Sequence, residues 1–194
     1  MAGLTDIITS KVRIEMLELF YSNPNEMYHV RGVVRAINEE INAVRRELSK
    51  LLEAGIIKKE NRGNRVYYWL RVDYPMYGDL VSLVAKTKGL GAQIIENKTK
   101  LGKIAFVMFS GKFARQKNRK RDDEVDILVV GEVVLPELAT LVRMEESKRG
   151  REINYTVMSR DELEFRKKRK DPFLQSVLSE SRVMIIGDED DLVS

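Results

Sequence analysis

Hydrophobic residues recur at helical spacing along the first part of the chain and predict two helices followed by a third, more regular one. The positions that define the first two helices are Val12, Met16, Leu19, Phe20, Val30, Val33, Val34 and Ile37. Pro24 and the asparagines beside it are predicted to end the first helix, because proline cannot continue the helical hydrogen-bond ladder. His29 is predicted to flank the second helix as a polar residue at the edge of the core.

The third helix, predicted over residues 39–54, separates apolar from polar positions most clearly. Its apolar arc, which spans about 100°, contains Ile41, Val44, Leu48, Leu51 and Leu52. The opposite, polar arc contains Asn42, Arg45, Arg46, Ser49 and Lys50. Asn38 is predicted as the N-cap, with Glu39 and Glu40 favouring the positive end of the helix dipole. Gly55 is predicted to supply a left-handed C-terminal cap.

A β-hairpin is predicted directly after this helix. Two strand-like runs, residues 56–60 and 65–70, flank the sequence Asn-Arg-Gly-Asn at 61–64. Asparagine and glycine tolerate the positive φ that a tight turn requires. Residues 67 and 69 alternate with their neighbours as the two faces of a strand do, and the Tyr67–Trp69 cluster is interpreted as hairpin packing rather than a base-stacking platform.

The second half of the chain has a different pattern, in which short apolar runs alternate with helical stretches. Strands are predicted at residues 104–109, 125–130, 153–157 and 183–186. Residues 74–100 are predicted to be helical, with breaks at Gly78, Gly89 and Gly91. The chain is therefore predicted to have an α+β fold, whose segments are a helix-rich domain (1–73), a helical linker (74–100), an α/β domain (101–187) and an acidic tail (188–194).

The composition excludes several kinds of site. The 194 residues include no cysteine and one histidine, so disulfides, thiolate zinc sites, cysteine nucleophiles and His-His metal pairs cannot form. Charges interrupt the first 19 residues, and no apolar run approaches the ~18 residues of a membrane span. We therefore expect a soluble, cytoplasmic protein with no membrane partner.

The distribution of charge says more than the net charge of +4. Lysine and arginine outnumber aspartate and glutamate 12 to 10 in residues 1–73 and 11 to 6 in residues 74–131, but residues 132–194 carry 11 against 14. This basic excess favours a polyanionic partner for the first two thirds of the chain. The basic run at 166–170 is interpreted as a solvated helix end, with a nucleic-acid contact as the alternative.

The order of elements over residues 5–72 resembles a winged helix-turn-helix domain, and residues 42–57 are similar to many prokaryotic transcription regulators. This resemblance implies a nucleoid-associated protein that binds double-stranded DNA. Arg45 and Arg46 would contact guanine or phosphate, Asn42 would pair with adenine, and Arg62 and Arg65 would reach phosphates or the minor groove. The full predicted DNA-binding set is Asn42, Arg45, Arg46, Ser49, Lys50, Arg62, Asn64 and Arg65. A protein-docking module and an ordinary solvated helix face are the alternatives.

The segment after the strand at 104–109 resembles the minimal nucleotidyltransferase fold. Members of that family carry a Gly-Ser turn after one strand and two carboxylates at alternate positions of the next. The matching residues, including a third carboxylate, are Ser110, Gly111, Glu124, Asp126 and Glu152. In an active enzyme the turn would bind nucleotide phosphates, while Glu124 and Asp126 would hold Mg²⁺.

The chain departs from that pattern at several positions. The turn reads Ser110-Gly111 and is followed by Lys112, Glu124 replaces aspartate, and Asn154 accompanies Glu152. We therefore expect a catalytically silent domain, without a cofactor, that serves oligomerisation or ligand sensing. The alternative is an active, Mg²⁺-dependent nucleotidyltransferase that the winged helix targets to its acceptor.

Two further expectations concern partners of this second half. Backbone N–H groups at the turn, together with nearby cations, predict a site for a nucleotide or phosphate effector formed by Ser110, Gly111, Lys112 and Arg115. The alternative is that the basic loop 112–121 is a solvated run of charge or a second DNA contact. A homodimer is predicted because duplex readers pair their half-sites by two-fold symmetry. The apolar residues assigned to its interface are Leu80, Leu83, Val84, Ile94 and Ile95.

Overall fold

The computed structural model describes residues 8–194, and contacts divide the chain into two units between Val84 and Ala85. The first seven residues of the predicted 1–73 domain lie outside the described residues. Each unit contains one β-sheet and several helices, so the expected α+β composition is confirmed. Within residues 8–194, no helix has the length and apolar character needed to cross a bilayer.

The N-terminal unit is a set of helices beside a small antiparallel sheet. Its elements are α1 (Lys11–Ser22), β1 (Tyr28–His29), α2 (Val30–Ile37), α3 (Ile41–Glu53), β2 (Ile57–Arg62), β3 (Arg65–Leu70) and α4 (Tyr77–Thr87), whose last residues belong to the second unit. The sheet order is β1-β3-β2. His29 caps α2, since its Nδ1 accepts a hydrogen bond from the Gly32 N–H at 3.0 Å.

The core of this unit differs in detail from the predicted helical faces. In α1 the buried side chains are Ile14, Met16, Leu17, Phe20 and Tyr21. Val12 and Leu19, which were predicted to lie on the buried face, are only partly covered. Because α1 contacts α2, α3 and β3, it buries a wider arc than the single stripe that periodicity indicates.

The start of α3 also differs from the prediction. Asn38 has left-handed angles (φ 51°, ψ 47°) and ends α2, so it is not the N-cap of α3. Glu40 is the N-cap instead, and its Oε2 accepts hydrogen bonds from the N–H groups of Asn42 at 2.8 Å and Ala43 at 2.9 Å. The predicted end is confirmed: Gly55 has φ +73°, and its N–H donates to the Leu52 carbonyl.

The predicted hairpin is present with a tighter loop. Strands β2 and β3 pair from Ile57↔Leu70 to Arg62↔Arg65, which leaves a loop of two residues, Gly63 and Asn64. Gly63 has φ +58°, as the first position of a type II′ turn requires. The predicted four-residue turn is therefore wrong, because Asn61 and Arg62 continue the strand.

The C-terminal unit is a four-stranded sheet with helices inserted between its strands. Its elements are α5 (Gly89–Glu96), β4 (Gly102–Ser110), α6 (Gly111–Ala114), β5 (Ile127–Val133), α7 (Leu135–Arg149), β6 (Tyr155–Met158), α8 (Arg160–Lys168), α9 (Pro172–Ser179), β7 (Arg182–Ile186) and α10 (Glu189–Val193). The sheet order is β6-β5-β4-β7. The β5–β6 pair is parallel, and β4 is antiparallel to both β5 and β7.

One core cluster joins the sheet to the last helices. Its buried members are Phe106, Met108, Leu128, Val130, Met158, Leu163, Leu174 and Leu192. Leu192 is fully buried, although residues 188–194 were predicted to be an acidic tail. This segment is instead a capped helix, because Asp188 accepts a hydrogen bond from the Asp190 N–H at 2.8 Å. The predicted solvated helix end at 166–170 is confirmed only in part. Lys168, Arg169 and Lys170 are exposed, whereas Arg166 pairs with Glu162 and Lys167 donates to the Ser194 carbonyl.

Two expectations for residues 74–100 are corrected. Gly89 (φ +60°) lies at the break between α4 and α5, but Gly78 and Gly91 lie inside helices. A Cβ on Gly91 would overlap the Ala85 carbonyl oxygen, so glycine is needed there for a close approach of backbone. Val84 and Ile94 are buried within the chain and cannot form an exposed dimer surface. The homodimer itself stays a prediction.

Candidate nucleic-acid interface and altered transferase site

Helix α3 presents the polar face that its sequence pattern predicted. Asn42, Arg45, Arg46, Ser49 and Lys50 are all exposed. Val44, Leu48 and Leu51 are buried on the other side. The helix therefore has an accessible cationic face held in place by an apolar one.

The cations of this face are not equivalent. The Lys50 ammonium lies 3.2 Å from Oε1 of Glu47, and the Ser49 hydroxyl donates to Glu53 at 3.3 Å. The side chains of Arg45 and Arg46 form no hydrogen bond or ion pair with residues 8–194, although both guanidinium groups help to lower the pKa of the Glu40 carboxyl. Two guanidinium groups are thus available for an external partner, whereas Lys50 already has an internal one.

A buried carboxylate explains the position of Lys50. Glu47 is 6% exposed and accepts a hydrogen bond from Arg13 Nε of α1 at 2.8 Å as well as from Lys50. Burial raises the pKa of the Glu47 carboxyl, but the hydrogen bonds from Arg13 and Lys50 outweigh it, so the pKa lies below its ordinary value of 4.5. Glu47 therefore joins α3 to α1, a contact between two helices that the spacing of apolar residues in the sequence does not indicate.

Replacing Glu47 with glutamine is expected to reduce the acid sensitivity of the N-terminal unit. A carboxyl whose pKa is lowered by folding stabilises the fold fully above the unfolded pKa, and that contribution disappears as pH falls through the folded value. We expect Glu47→Gln to cost roughly 1 kcal/mol near neutral pH, a modest figure because the two cations are partly exposed. This cost should shrink as pH falls below 4.5 through the lowered pKa of the folded state. Urea unfolding at a neutral and an acidic pH, followed by fluorescence of Trp69, the only tryptophan, measures the cost at each pH.

The matched control is Glu53→Gln, which removes an exposed carboxylate from the same helix. It should leave the stability near neutral pH within about 0.5 kcal/mol of the wild type. An equal loss of stability in the two variants at both pH values would contradict the role assigned to Glu47.

The hairpin contributes cations of two kinds. Arg62 pairs with Glu60 (Nη2 to Oε2, 3.0 Å), and its guanidinium lies 5.9 Å from the centre of the Tyr67 ring. Arg65 and Asn64 are exposed, and Arg65 forms no ion pair with the residues that the structure describes. Tyr67 is half-buried against His29 in an edge-to-face contact, in agreement with its predicted packing role.

In the second unit, the Ser110-Gly111 turn is occupied by its own structural contacts. The Ser110 hydroxyl caps α6 by accepting a hydrogen bond from the Phe113 N–H at 3.2 Å. The Gly111 N–H donates to the Ser181 carbonyl at 2.6 Å, and a Cβ at this position would overlap the Ser181 hydroxyl. Glycine is therefore required at position 111, because Ser181, the residue directly before β7, approaches it closely.

Glu124 and Asp126 do not lie at alternate positions of a strand, because β5 begins only at Ile127. Asp126 is 1% exposed, and its Oδ2 accepts hydrogen bonds from Arg119 Nη1 at 2.9 Å and the Asn154 N–H at 3.0 Å. Oε1 of Glu124 lies 2.9 Å from the Lys112 ammonium. The contact with Lys112 lowers the pKa of Glu124, and the same contact raises the pKa of Lys112. Glu152 is exposed.

Glu124 and Asp126 line one pocket together with Ser110, and Glu152 is not among the residues that line it. Glu124 and Asp126 are each neutralised by a different cation, Lys112 and Arg119, so the pair that the sequence assigned to Mg²⁺ already has internal partners. Across residues 8–194 no group of three or more histidine, aspartate or glutamate side chains has an arrangement that would hold a metal ion.

The predicted effector site is also engaged by the protein itself. The Lys112 ammonium contacts both Glu124 and Glu180, at 2.9 and 3.1 Å. Arg115 Nη1 donates to the Gly111 carbonyl and the Ser181 hydroxyl, at 3.3 and 3.1 Å. An anion at the turn would have to displace these contacts, so the donors that the sequence assigned to it are not preformed for binding.

Comparisons with family models, with curated proteins and with solved structures give no match to this chain.

Proposed function

We propose that this chain is a sequence-specific, DNA-binding transcriptional regulator whose N-terminal unit is a winged helix-turn-helix domain. The observation that carries the proposal is the exposed face of α3, on which the side chains of Arg45 and Arg46 form no hydrogen bond or ion pair with the described residues, while Val44, Leu48 and Leu51 of the opposite face are buried. A major groove about 12 Å wide admits one helix, and paired guanidinium groups suit guanine edges and phosphates.

The remaining elements of the unit support the same function. The short helix α2 precedes α3, and the β2–β3 hairpin that follows carries Arg62 and Arg65 close to a tight turn. Phosphate contacts fix the register of a protein on the duplex, whereas base contacts carry the specificity. In this proposal α3 reads bases and the hairpin, mainly through the unpaired Arg65, contacts the backbone.

The second unit has the role of a nucleotidyltransferase-like domain without catalysis. Its turn, its paired carboxylates and Glu152 lie at the ends of the adjacent strands β4, β5 and β6, which supports the resemblance. The ion pairs Lys112–Glu124 and Arg119–Asp126 argue against the rival function, an active metal-dependent transferase, because the carboxylates are already neutralised.

Selection of bound fragments from random duplex DNA tests the proposal, and the expected result is one enriched sequence. The logarithm of its affinity should fall linearly with the logarithm of the salt concentration, because each neutralised phosphate releases counterions. Failure to enrich any sequence, together with salt-independent binding, would contradict sequence-specific DNA recognition.

Alanine at Arg65 is expected to weaken binding to every duplex alike and to reduce the salt slope by about one. Arg62→Ala should reduce the slope less, because Glu60 already neutralises that guanidinium. Arg143→Ala, an exposed change on α7, is the control with the same loss of charge. Fluorescence anisotropy at several salt concentrations gives the slopes, and equal slopes for all the variants and the wild type would contradict a hairpin contact.

A further inference from the structure

The loop between α6 and β5 carries a run of cations that is held in a defined shape. The Lys117 N–H donates to the Lys112 carbonyl at 2.9 Å. Arg149 Nη1 donates to the Gln116 side-chain oxygen at 2.8 Å, and Arg151 Nη1 donates to the Lys117 carbonyl at 3.1 Å. These bonds anchor the first part of the loop to the end of α7 and the segment after it.

The cations of this loop fall into two groups. Arg119 and Arg121 each face a carboxylate, Asp126 at 2.9 Å and Asp123 at 3.1 Å. Arg115 bonds only to neutral oxygens, and Lys117 and Lys120 have side chains with no carboxylate within ion-pair distance among residues 8–194. Three positive charges in the loop therefore lack a negative partner in the part of the chain that the structure describes.

The three unneutralised cations line one concave surface. A pocket of about 420 Å³ is bounded by Arg115, Lys117 and Lys120 on the loop side and by Glu180 and Ser181 on the other. Glu180 does not neutralise them, because its carboxylate contacts Lys112. Like charges in one concavity repel each other, and an anion bound between them removes that repulsion.

We propose that this concave surface binds the phosphoryl groups of a polyanion without a metal ion. Nη1 of Arg115 already donates to Gly111 and Ser181, so this guanidinium supplies its charge and its remaining N–H donors. The lysine ammonium groups act as mobile point charges, and the combination suits several phosphoryl oxygens rather than a single carboxylate. The site shares Arg115 with the sequence-based prediction, but its other donors are the side chains of Lys117 and Lys120 rather than Lys112 and the backbone of Ser110 and Gly111. It does not depend on DNA binding by α3.

Inorganic tripolyphosphate is the probe, titrated calorimetrically into the full chain in buffer that contains EDTA. The variant Lys117→Met/Lys120→Met is expected to bind it at least about tenfold more weakly than the wild type. Both lysines are exposed, so the substitutions should not disturb folding, which the thermal melt checks. The control Lys148→Met/Lys168→Met removes two exposed lysines from α7 and α8 of the same unit, and it should change the affinity for tripolyphosphate less than about twofold.

A non-specific DNA duplex, titrated in parallel, identifies the source of the phosphoryl groups. Loss of tripolyphosphate binding with an unchanged duplex salt slope would identify a free phosphate compound as the occupant. If the salt slope for duplex binding fell by about two in the Lys117/Lys120 variant and not in the control, the DNA backbone would be identified as the source of the phosphoryl groups. Either result supports the site.

Two results would overturn the proposal. One is the absence of tripolyphosphate binding by the wild type at millimolar concentration, and the other is equal weakening in the test and control variants. Arg45→Ala/Arg46→Ala is expected to retain tripolyphosphate binding, so a failure of this site and a failure of DNA recognition by α3 can be told apart.

Discussion

Alanine at both Arg45 and Arg46 is expected to abolish sequence discrimination and to cost about 2–6 kcal/mol of binding free energy to the selected duplex. A bidentate contact between arginine and a base edge contributes about 1–3 kcal/mol of discrimination, and both guanidinium groups are available on the exposed face of α3. Fluorescence anisotropy with the selected duplex and a scrambled duplex measures the loss. Affinity for the scrambled duplex should change much less than affinity for the selected one.

The control for this prediction is Arg143→Ala/Lys148→Ala on α7, which removes two exposed positive charges from the other unit. It separates the loss of a specific contact from the loss of overall charge. Both pairs are exposed, so neither variant should lose more than about 0.5 kcal/mol of stability per substitution. If the double arginine variant kept its preference for the selected duplex, α3 would not be the reading helix.

Alanine at Asp126 is expected to lower the free energy of unfolding of the C-terminal unit by about 3 kcal/mol. The substitution removes the acceptor of Arg119 Nη1 and of the Asn154 N–H from a site where the aspartate is almost fully buried. Breaking a buried ion pair from one side costs about 3–5 kcal/mol, and the lower end applies because the Arg119 side chain remains 21% exposed.

Asp123→Ala is the matched control for Asp126→Ala, since it breaks an ion pair with Arg121 in the same loop whose partners are both exposed. Exposed pairs contribute at most about 1 kcal/mol. Denaturant unfolding followed by circular dichroism reports on both units, while Trp69 fluorescence reports on the N-terminal one. A loss seen by circular dichroism and not by Trp69 assigns the effect to the C-terminal unit.

The direction in which Asp126→Ala changes the free energy of unfolding distinguishes a catalytically silent domain from a metal-dependent transferase. Carboxylates that share a site without a cation repel each other, so removing one from an empty metal site stabilises the protein. Here Arg119 neutralises Asp126, and a loss of stability is expected. A gain of stability in Asp126→Ala would favour the metal-dependent transferase.

The sequence pattern predicted correctly those parts of the fold whose local sequence favours a single structure. Three residues of the predicted apolar arc of α3, Val44, Leu48 and Leu51, are buried, while Ile41 and Leu52 are partly buried. Gly55 ends the helix as predicted. The hairpin followed from a glycine between two strand-like runs. These features are local, because each depends on residues within a few positions of one another.

The errors arose where local signals compete. Asn38 and Glu40 are both suitable caps, and asparagine also tolerates the left-handed conformation that ends α2, so the pattern alone could not assign Asn38 to one helix rather than the other. Position 91, inside α5, is a glycine because the backbone of Ala85 approaches it closely. The spacing of apolar residues in a helix does not reveal such a contact. The first residues of the predicted strand at 125–130 precede β5, which begins at Ile127, although the backbone of Asp126 accepts a hydrogen bond from Ser110 and donates one to Asn154.

The candidate sites depended more on long-range contacts than the fold did. The polar face of α3 was predicted correctly as exposed, but the ion pair between Glu47 and Arg13 was not predicted, because Arg13 lies on another helix. In the second unit the residue types resembled a metal site, and only their partners showed that Lys112 and Arg119 neutralise it. An ion pair between segments that are separated along the chain produces no periodic pattern of residues, so periodicity cannot predict it.

The position of β7 in the sheet affects how each unit folds as the chain leaves the ribosome. All three strands of the N-terminal sheet lie before Tyr74, so this unit can complete its pairing while the rest is still being synthesised. In the C-terminal unit, β4 is made first but pairs on one side with β7, the last strand described. Until residues 182–186 emerge, that edge of β4 stays unpaired and open to association with other chains. The nascent second unit is therefore the part of this protein that depends most on rapid completion or on a chaperone.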